Sequence, residues 1–192
     1  MKNTILALLL VFSALACKKE VKKTETSNTE RSNSEQEVIE KKRSLIISLN
    51  PKSESNVTGT AKFEETNGIV YMTAVIKGLS EGSHAIHIHD QADCSSLDGK
   101  SAGGHWNPTA QPHGKWGAET GYHKGDIGNF MVKSIEDDTT VEFSTDEWCI
   151  GCGDDSKDIL GKGVIVHQGV DDFVSQPSGA AGSRVSCGGI IK

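Results

Sequence analysis

The sequence predicts an all-β domain of about eight short strands with two long functional loops, a count that fits a sandwich or a barrel. Three observations carry the prediction. Apolar and polar residues alternate over short runs that end in turn-forming residues. Helix signals are nearly absent. Two stretches, 91–125 and 169–183, lack strand periodicity and between them carry Gly, Pro, His and Asp. Long loops inside a compact domain are usually functional, so the chemistry is expected there.

Taken in chain order, the first strand is expected at 45–50, and the alternation Val57-x-Gly59-x-Ala61-x-Phe63 gives the second. Asn67-Gly68 then turns the chain into a β-rich run at 69–76. A strand at 83–90 follows. Phe130-Met131-Val132 and Val141-Glu142-Phe143, separated by Glu136-Asp137-Asp138, read as a hairpin. Strands at 162–168 and 184–191 complete the set.

The 192 residues leave room for one such domain with appendages. Lys2, the apolar stretch 5–15 and the small-residue site Ala14-Leu15-Ala16 read as an export signal over 1–17, too short to span a bilayer. Cys17, followed by Lys18 and Lys19, resembles the end of a bacterial lipoprotein signal, in which the cysteine is lipidated and becomes the mature N-terminus. Ala14-x-Ala16 equally suits ordinary signal cleavage, which leaves Cys17 as a bare thiol. The other four of the five cysteines can pair among themselves, and a lone thiol in an oxidising compartment is a liability that lipidation removes. That favours an exported protein anchored to a bacterial membrane, in the periplasm or on the cell surface. Residues 18–43 hold eight basic and six acidic side chains with only Val21, Val38 and Ile39 apolar, which reads as a flexible polar tether or, alternatively, a short amphipathic helix. From residue 44 to 192, the expected domain, 11 Lys and Arg face 20 Asp and Glu, a net charge of −9 that argues against nucleic-acid binding. No motif fixes an oligomeric state.

All seven histidines lie between 84 and 167. His87 and His89 occupy alternate positions of one strand, so both rings project from one face and can grip one ion, while His84 points to the other. A single strand histidine is more often a satisfied or surface residue than a ligand. Here, however, His105, His113, His123 and Asp126 follow within one glycine-rich loop, and the cluster points to metal.

Four segments carry a resemblance: Gly82-Ser83-His84-Ala85-Ile86-His87-Ile88-His89, Ser101-Ala102-Gly103-Gly104-His105-Trp106-Asn107-Pro108, His123-Lys124-Gly125-Asp126-Ile127-Gly128-Asn129 and Gly182-Ser183-Arg184-Val185-Ser186-Cys187-Gly188. Together they are similar to the signature segments of copper/zinc superoxide dismutases, over roughly 45–192. The resemblance implies an eight-stranded Greek-key barrel that converts superoxide to dioxygen and hydrogen peroxide. It assigns copper to His87, His89, His105 and His167, and zinc to His105, His113, His123 and Asp126, with His105 bridging as an imidazolate and taking a proton in the cycle. Four nitrogen donors suit Cu(II), and three imidazoles with one carboxylate suit structural zinc. Asp171 matches the carboxylate that orients a copper and a zinc histidine, here His87 and His113. His84 is expected to brace the loops without touching metal, and Arg184 to dock the anionic substrate. Lys124 and Lys162 are further cations that would help attract it. Cys94 and Cys187 match the family's disulfide.

Two features depart from the family pattern. Cys149-Ile150-Gly151-Cys152 reads as a second, local disulfide or, alternatively, a thioredoxin-like redox motif, which would require a βαβ setting. The loop after His167 carries Gln176, Pro177 and Ser178 and no Lys or Arg. Two rival functions are a noncatalytic copper-binding or copper-delivery domain on the same barrel, whose members typically lose ligands, and a zinc-stabilised structural domain, which needs neither His167 nor Arg184.

Overall fold

The structure, a computed structural model, describes residues 42–192. The expected export signal, Cys17 and the tether through residue 41 lie outside the described residues. Eight strands follow one another: β1 (Arg43–Pro51), β2 (Thr58–Thr66), β3 (Ile69–Lys77), β4 (Gly82–His89), β5 (Gly128–Val132), β6 (Thr139–Thr145), β7 (Gly163–His167) and β8 (Arg184–Gly189). Among the described residues the only helix is one 3-10 turn, Lys100–Ala102.

All strand pairs are antiparallel, in the order β5-β4-β7-β8-β1-β2-β3-β6. The edge strands β5 and β6 approach each other, so the sheet curls into a nearly closed barrel. The β2–β3 hairpin forms as expected. Thr66 pairs with Ile69, and Asn67 and Gly68 both take positive φ, 53° and 77°, as a two-residue turn matched to strand twist requires. The expected hairpin of 130–132 with 141–143 does not form. β5 pairs with β4 (Ile86↔Gly128) and β6 with β3 (Met72↔Phe143), so 133–138 crosses from one sheet edge to the other. The acidic turn residues mark where β6 begins, but pairing is set by the open edges of β4 and β3, where β5 and β6 add on.

The two halves of the barrel differ in what covers their outer faces. β3 alternates between buried residues and residues that reach solvent, with Val70, Met72, Ala74 and Ile76 in the core. In β4, Ile86 and Ile88 point into the same core, yet His87 and His89 on the outer face are just as buried. β7 repeats this, with Val164 and Val166 inward and Ile165 and His167 buried outward. The cover comes from the two long loops.

The first loop docks by pairing with the edge of β4. Past the end of the β5 ladder, Ile88 N–H donates to Gly125 O at 2.9 Å and Trp106 N–H donates to Ile88 O at 2.8 Å. Gly125 must be a glycine there, because a Cβ would collide with Ile88 O. A β-bridge joins His89 to His105. The Cys94–Cys187 disulfide, Cα atoms 5.8 Å apart, ties the same loop to β8 within a small outer cluster with Ala102 and Ile165.

Candidate metal centre

Two groups of donor side chains form under the loops. His87 and His89 on β4, His167 at the end of β7 and His105 from the first loop bring ligand atoms within 4.8 Å of one another. His105, His113, His123 and Asp126 form the second group by the same measure. His105 belongs to both, its ring centroid 4.0 Å from that of His87 and 5.3 Å from that of His113.

The two nitrogens of each ring have different partners. His87 Nε2 donates to Asp171 Oδ2 and His113 Nε2 to Asp171 Oδ1, both at 2.9 Å. His89 Nδ1 donates to Gly103 O at 2.9 Å, and His105 Nδ1 to Asp126 Oδ1 at 2.7 Å. The opposite nitrogens are buried and have no hydrogen-bond partner: His87 Nδ1, His89 Nε2, His105 Nε2, His113 Nδ1, His123 Nδ1 and both nitrogens of His167. His113 Nδ1 and His123 Nδ1 lie 3.0 and 3.2 Å from the Asp126 carboxylate. Buried polar atoms are ordinarily satisfied, so lone pairs left bare and converging on two points fit metal ions.

Charge at the site follows from burial. Burial pushes His89 and His167 well below their usual range, helped by neighbouring imidazoles, and it pushes His105 down to about 4 against the pull of Asp126. Burial alone would raise Asp126 and Asp171. The hydrogen bonds from His105 and the His123 N–H overcome it for Asp126, and those from His87, Phe173 N–H and His113 hold Asp171 at about 2. His89, His105 and His167 are therefore neutral rings beside two anionic carboxylates.

His84 lies in neither group. Its Nε2 lies 2.9 Å from Ser80 O and its Nδ1 3.2 Å from His167 O, so one ring nitrogen can donate to a backbone carbonyl. Arg184 stands opposite His167 on the neighbouring strand, where a register irregularity interrupts the β7–β8 ladder. It lines a cleft of about 590 Å³ together with His89, His105 and His167, and no other Arg, Lys, Asp or Glu lines it. Its Nη1 donates to Gly99 O at 2.8 Å. Lys124 and Lys162 do not line the cleft: Lys124 pairs with Glu147 at 3.2 Å and Lys162 with Asp90 at 3.3 Å, which neutralises the help expected of them.

Several positioning residues escape the sequence reading. The carboxamide of Asn129 grips the backbone of Asp171 at both ends, donating to Asp171 O and accepting from Asp171 N–H, each at 2.8 Å. Gln176 does the same for His113, at 2.9 Å on each side. At Gly179, φ 67°, a Cβ would intrude on the Asp171–His113 hydrogen bond. Only the departure at Gln176 was visible as a signal. Cys149 and Cys152 form a local disulfide with Cα atoms 6.0 Å apart, and the all-antiparallel sheet offers no βαβ unit around it.

A free histidine titrates near pH 6.5, whereas His105 refuses a proton until about 4, and His89 and His167 shift the same way. The unfolded chain therefore binds more protons in this window. Stability of the metal-free protein is full above about pH 6.5 and falls as pH drops towards 4. Thermal melts of metal-free protein at about pH 7.5 and about pH 5 should show a lower midpoint in acid; equal midpoints would contradict the burial argument.

Comparison with known proteins agrees with this geometry. The family model for copper/zinc superoxide dismutase matches residues 57–190. The chain is 34% identical over 141 residues to superoxide dismutase [Cu-Zn] 2 of Aquifex aeolicus, covering 71% of this chain and 80% of that one. It is 32% identical over 145 residues to the extracellular superoxide dismutase [Cu-Zn] of Caenorhabditis elegans, covering 72% and 63%. Among solved structures, a double mutant of a SOD-like protein from Bacillus subtilis superposes with a TM-score of 0.67 at 29% identity, over 77% of this chain and 97% of that one. With the family model spanning most of the barrel and both donor groups in place, the chain belongs to the copper/zinc superoxide dismutases, enzymes that take copper and zinc as cofactors and superoxide as substrate.

Proposed function

We propose that this chain dismutates superoxide at a copper held by His87, His89, His105 and His167, with His105 shared with a structural zinc held also by His113, His123 and Asp126. One observation carries the assignment: the two nitrogens of His105 serve different groups, Nε2 bare towards the all-histidine group and Nδ1 against Asp126. Four imidazoles match copper's preference, and three imidazoles with a carboxylate are a closed tetrahedral set for zinc. When bound, copper supplies the one-electron couple that oxidises one superoxide to dioxygen and reduces a second, with two protons, to hydrogen peroxide.

The chain's own residues supply the rest. His105 Nε2 can take up and release a proton while its Nδ1 side stays fixed. Asp171 holds His87 and His113 in one tautomer each, so a single carboxylate orients one ligand of each ion. Arg184 draws the anion to the cleft. The domain carries a net charge of −9, but the Debye length is about 8 Å at physiological ionic strength, so distant carboxylates are screened while a cation in the cleft is not. The loop 168–183 offers no Lys or Arg to share that task. A noncatalytic copper-binding domain has no use for Arg184 in the cleft, and this chain has lost no ligand.

Export fits the two disulfides, and the C. elegans relative is named extracellular. On this reading 1–17 is the signal, lipidated Cys17 the anchor, 18–43 the tether and 44–192 the enzyme.

Protein reconstituted with both metals should consume superoxide, and His105→Ala should disturb both sites at once; an intact zinc site beside unchanged copper spectra would refute the shared ligand. Arg184→Glu should lower the second-order rate more than about tenfold, roughly 1.4 kcal/mol, with metal content unchanged, while Arg184→Lys retains much of it. A charge-reversed enzyme as fast as the parent would place the attraction elsewhere. Cys17→Ser should move the protein from membrane to soluble fractions, and unchanged fractionation would favour plain signal cleavage.

A further inference from the structure

The Cys149–Cys152 disulfide has no part in the chemistry above, and its two sulfurs differ in setting. Cys149 is buried at 6% exposure, while Cys152 is exposed. Asp154 N–H points at Cys152 Sγ from 3.5 Å, where it would stabilise a thiolate. The loop does not depend on the disulfide alone for its shape. The Asp158 carboxylate accepts N–H bonds from Gly151 (2.8 Å), Gly153 (3.0 Å) and Leu160 (3.1 Å), and Cys149 is paired through its backbone with Lys157 and Ile159. An attacking thiolate thus meets one accessible sulfur on a loop that keeps its fold. The Cys94–Cys187 disulfide offers no such entry: Cys187 is fully buried and Cys94 half-buried.

The residues just before Cys149 form the backing of the zinc-ligand loop. Trp148 Nε1 donates to Lys124 O at 2.8 Å, next to His123, and the Trp148 ring packs against Trp116, 6.0 Å away between centroids and three residues after His113. Glu147 takes the other two contacts, accepting from Tyr122 Oη and pairing with Lys124 Nζ at 3.2 Å. Both ends of the loop between His113 and Asp126 rest on residues 147 and 148, and the disulfide closes immediately behind them.

We propose that Cys149–Cys152 is a thiol–disulfide exchange site whose redox state sets how firmly the zinc ligands are held, a regulatory contact rather than an oxidoreductase centre. A dithiol reductant supplies the electrons. One of its thiolates attacks Cys152 Sγ, the Sγ–Sγ bond breaks, and Cys149 leaves as a thiolate that takes a proton from solvent. The reductant's second thiolate then closes on its own sulfur in the mixed disulfide and releases Cys152 as a thiolate, which takes the second proton from solvent. The reductant departs as a disulfide, and two electrons and two protons have passed to the protein. The hydrogen bonds of Asp158 and of the Cys149 backbone keep the loop folded, but with the covalent closure gone Trp148 and Glu147 are held less firmly and the zinc loop loosens.

The coupling rests on the zinc assignment made above, so the test first measures zinc bound per chain in the folded, metal-loaded protein. That protein is treated with dithiothreitol, quenched at intervals with an alkylating agent and mapped by mass spectrometry, while zinc passing to a chromogenic chelator is followed in parallel. Cys149 and Cys152 should be alkylated while Cys94–Cys187 stays intact, and zinc release should rise about tenfold with copper retained. Cys149→Ala/Cys152→Ala should release zinc at the faster rate without reductant, and Trp148→Phe should narrow the difference between oxidised and reduced protein. Reduction of Cys94–Cys187 first, or at the same rate, overturns the exchange site. Selective reduction with unchanged zinc release overturns the coupling. Protein that takes up no zinc before any reductant is added overturns the metal assignment and the coupling with it, leaving the alkylation pattern to decide the exchange site.

Discussion

Seven imidazole nitrogens buried without partners set the terms for the rest of the domain. Each such atom costs about 1–3 kcal/mol in a metal-free fold, and burial also suppresses the protonation that would let water back in. Rings left bare on one side must be fixed on the other, or they would turn and satisfy themselves. In His87, His89, His105 and His113 the opposite nitrogens are accordingly committed to Asp171, Gly103 and Asp126. Those acceptors fix the orientation and tautomer of these four rings and aim their bare nitrogens at the two donor groups.

Such a demand needs a rigid wall, and half of the barrel provides it. The core under β4 and β7 is closed by Ile86, Ile88, Val164 and Val166, so the ligands above cannot sink inward. The loops above lack a sheet of their own and borrow pairing instead. Ile88 lends the free edge of β4 to Trp106 and Gly125, while the carboxamides of Asn129 and Gln176 each imitate a neighbouring strand for one residue, Asp171 and His113. One loop thereby holds His113 at its ring and at both backbone groups.

Much of this was legible in the sequence because it is written in local periodicity and in unusual residue types. The strands fell where alternation placed them, and the Asn67-Gly68 turn announced its hairpin. His87 and His89 share a face because strand geometry requires it, whereas the division of the histidines into two donor groups came from the resemblance to the copper/zinc superoxide dismutases. What stayed hidden depends on pairing between distant segments. The partners of β5 and β6 follow from vacant edges that a turn signal does not report. Asn129, Gln176 and Gly179 are ordinary loop residues until the fold sets them against Asp171 and His113. Lys124 and Lys162 looked like free cations because their carboxylate partners, Glu147 and Asp90, are remote in sequence.

The span of chain between ligands also orders events during assembly. His105 and Asp126 are separated by 21 residues, and the whole zinc-type group is drawn from that one loop. The contact that orients the copper-type group, His87 with Asp171, spans 84 residues and waits for β7 to join β4. Fourfold longer closure costs about 1.2 kcal/mol more in chain entropy, and non-local strand pairing is the slow part of a β fold. The zinc-type cradle is therefore within reach early in folding, and the copper-type seat only when the barrel is nearly shut.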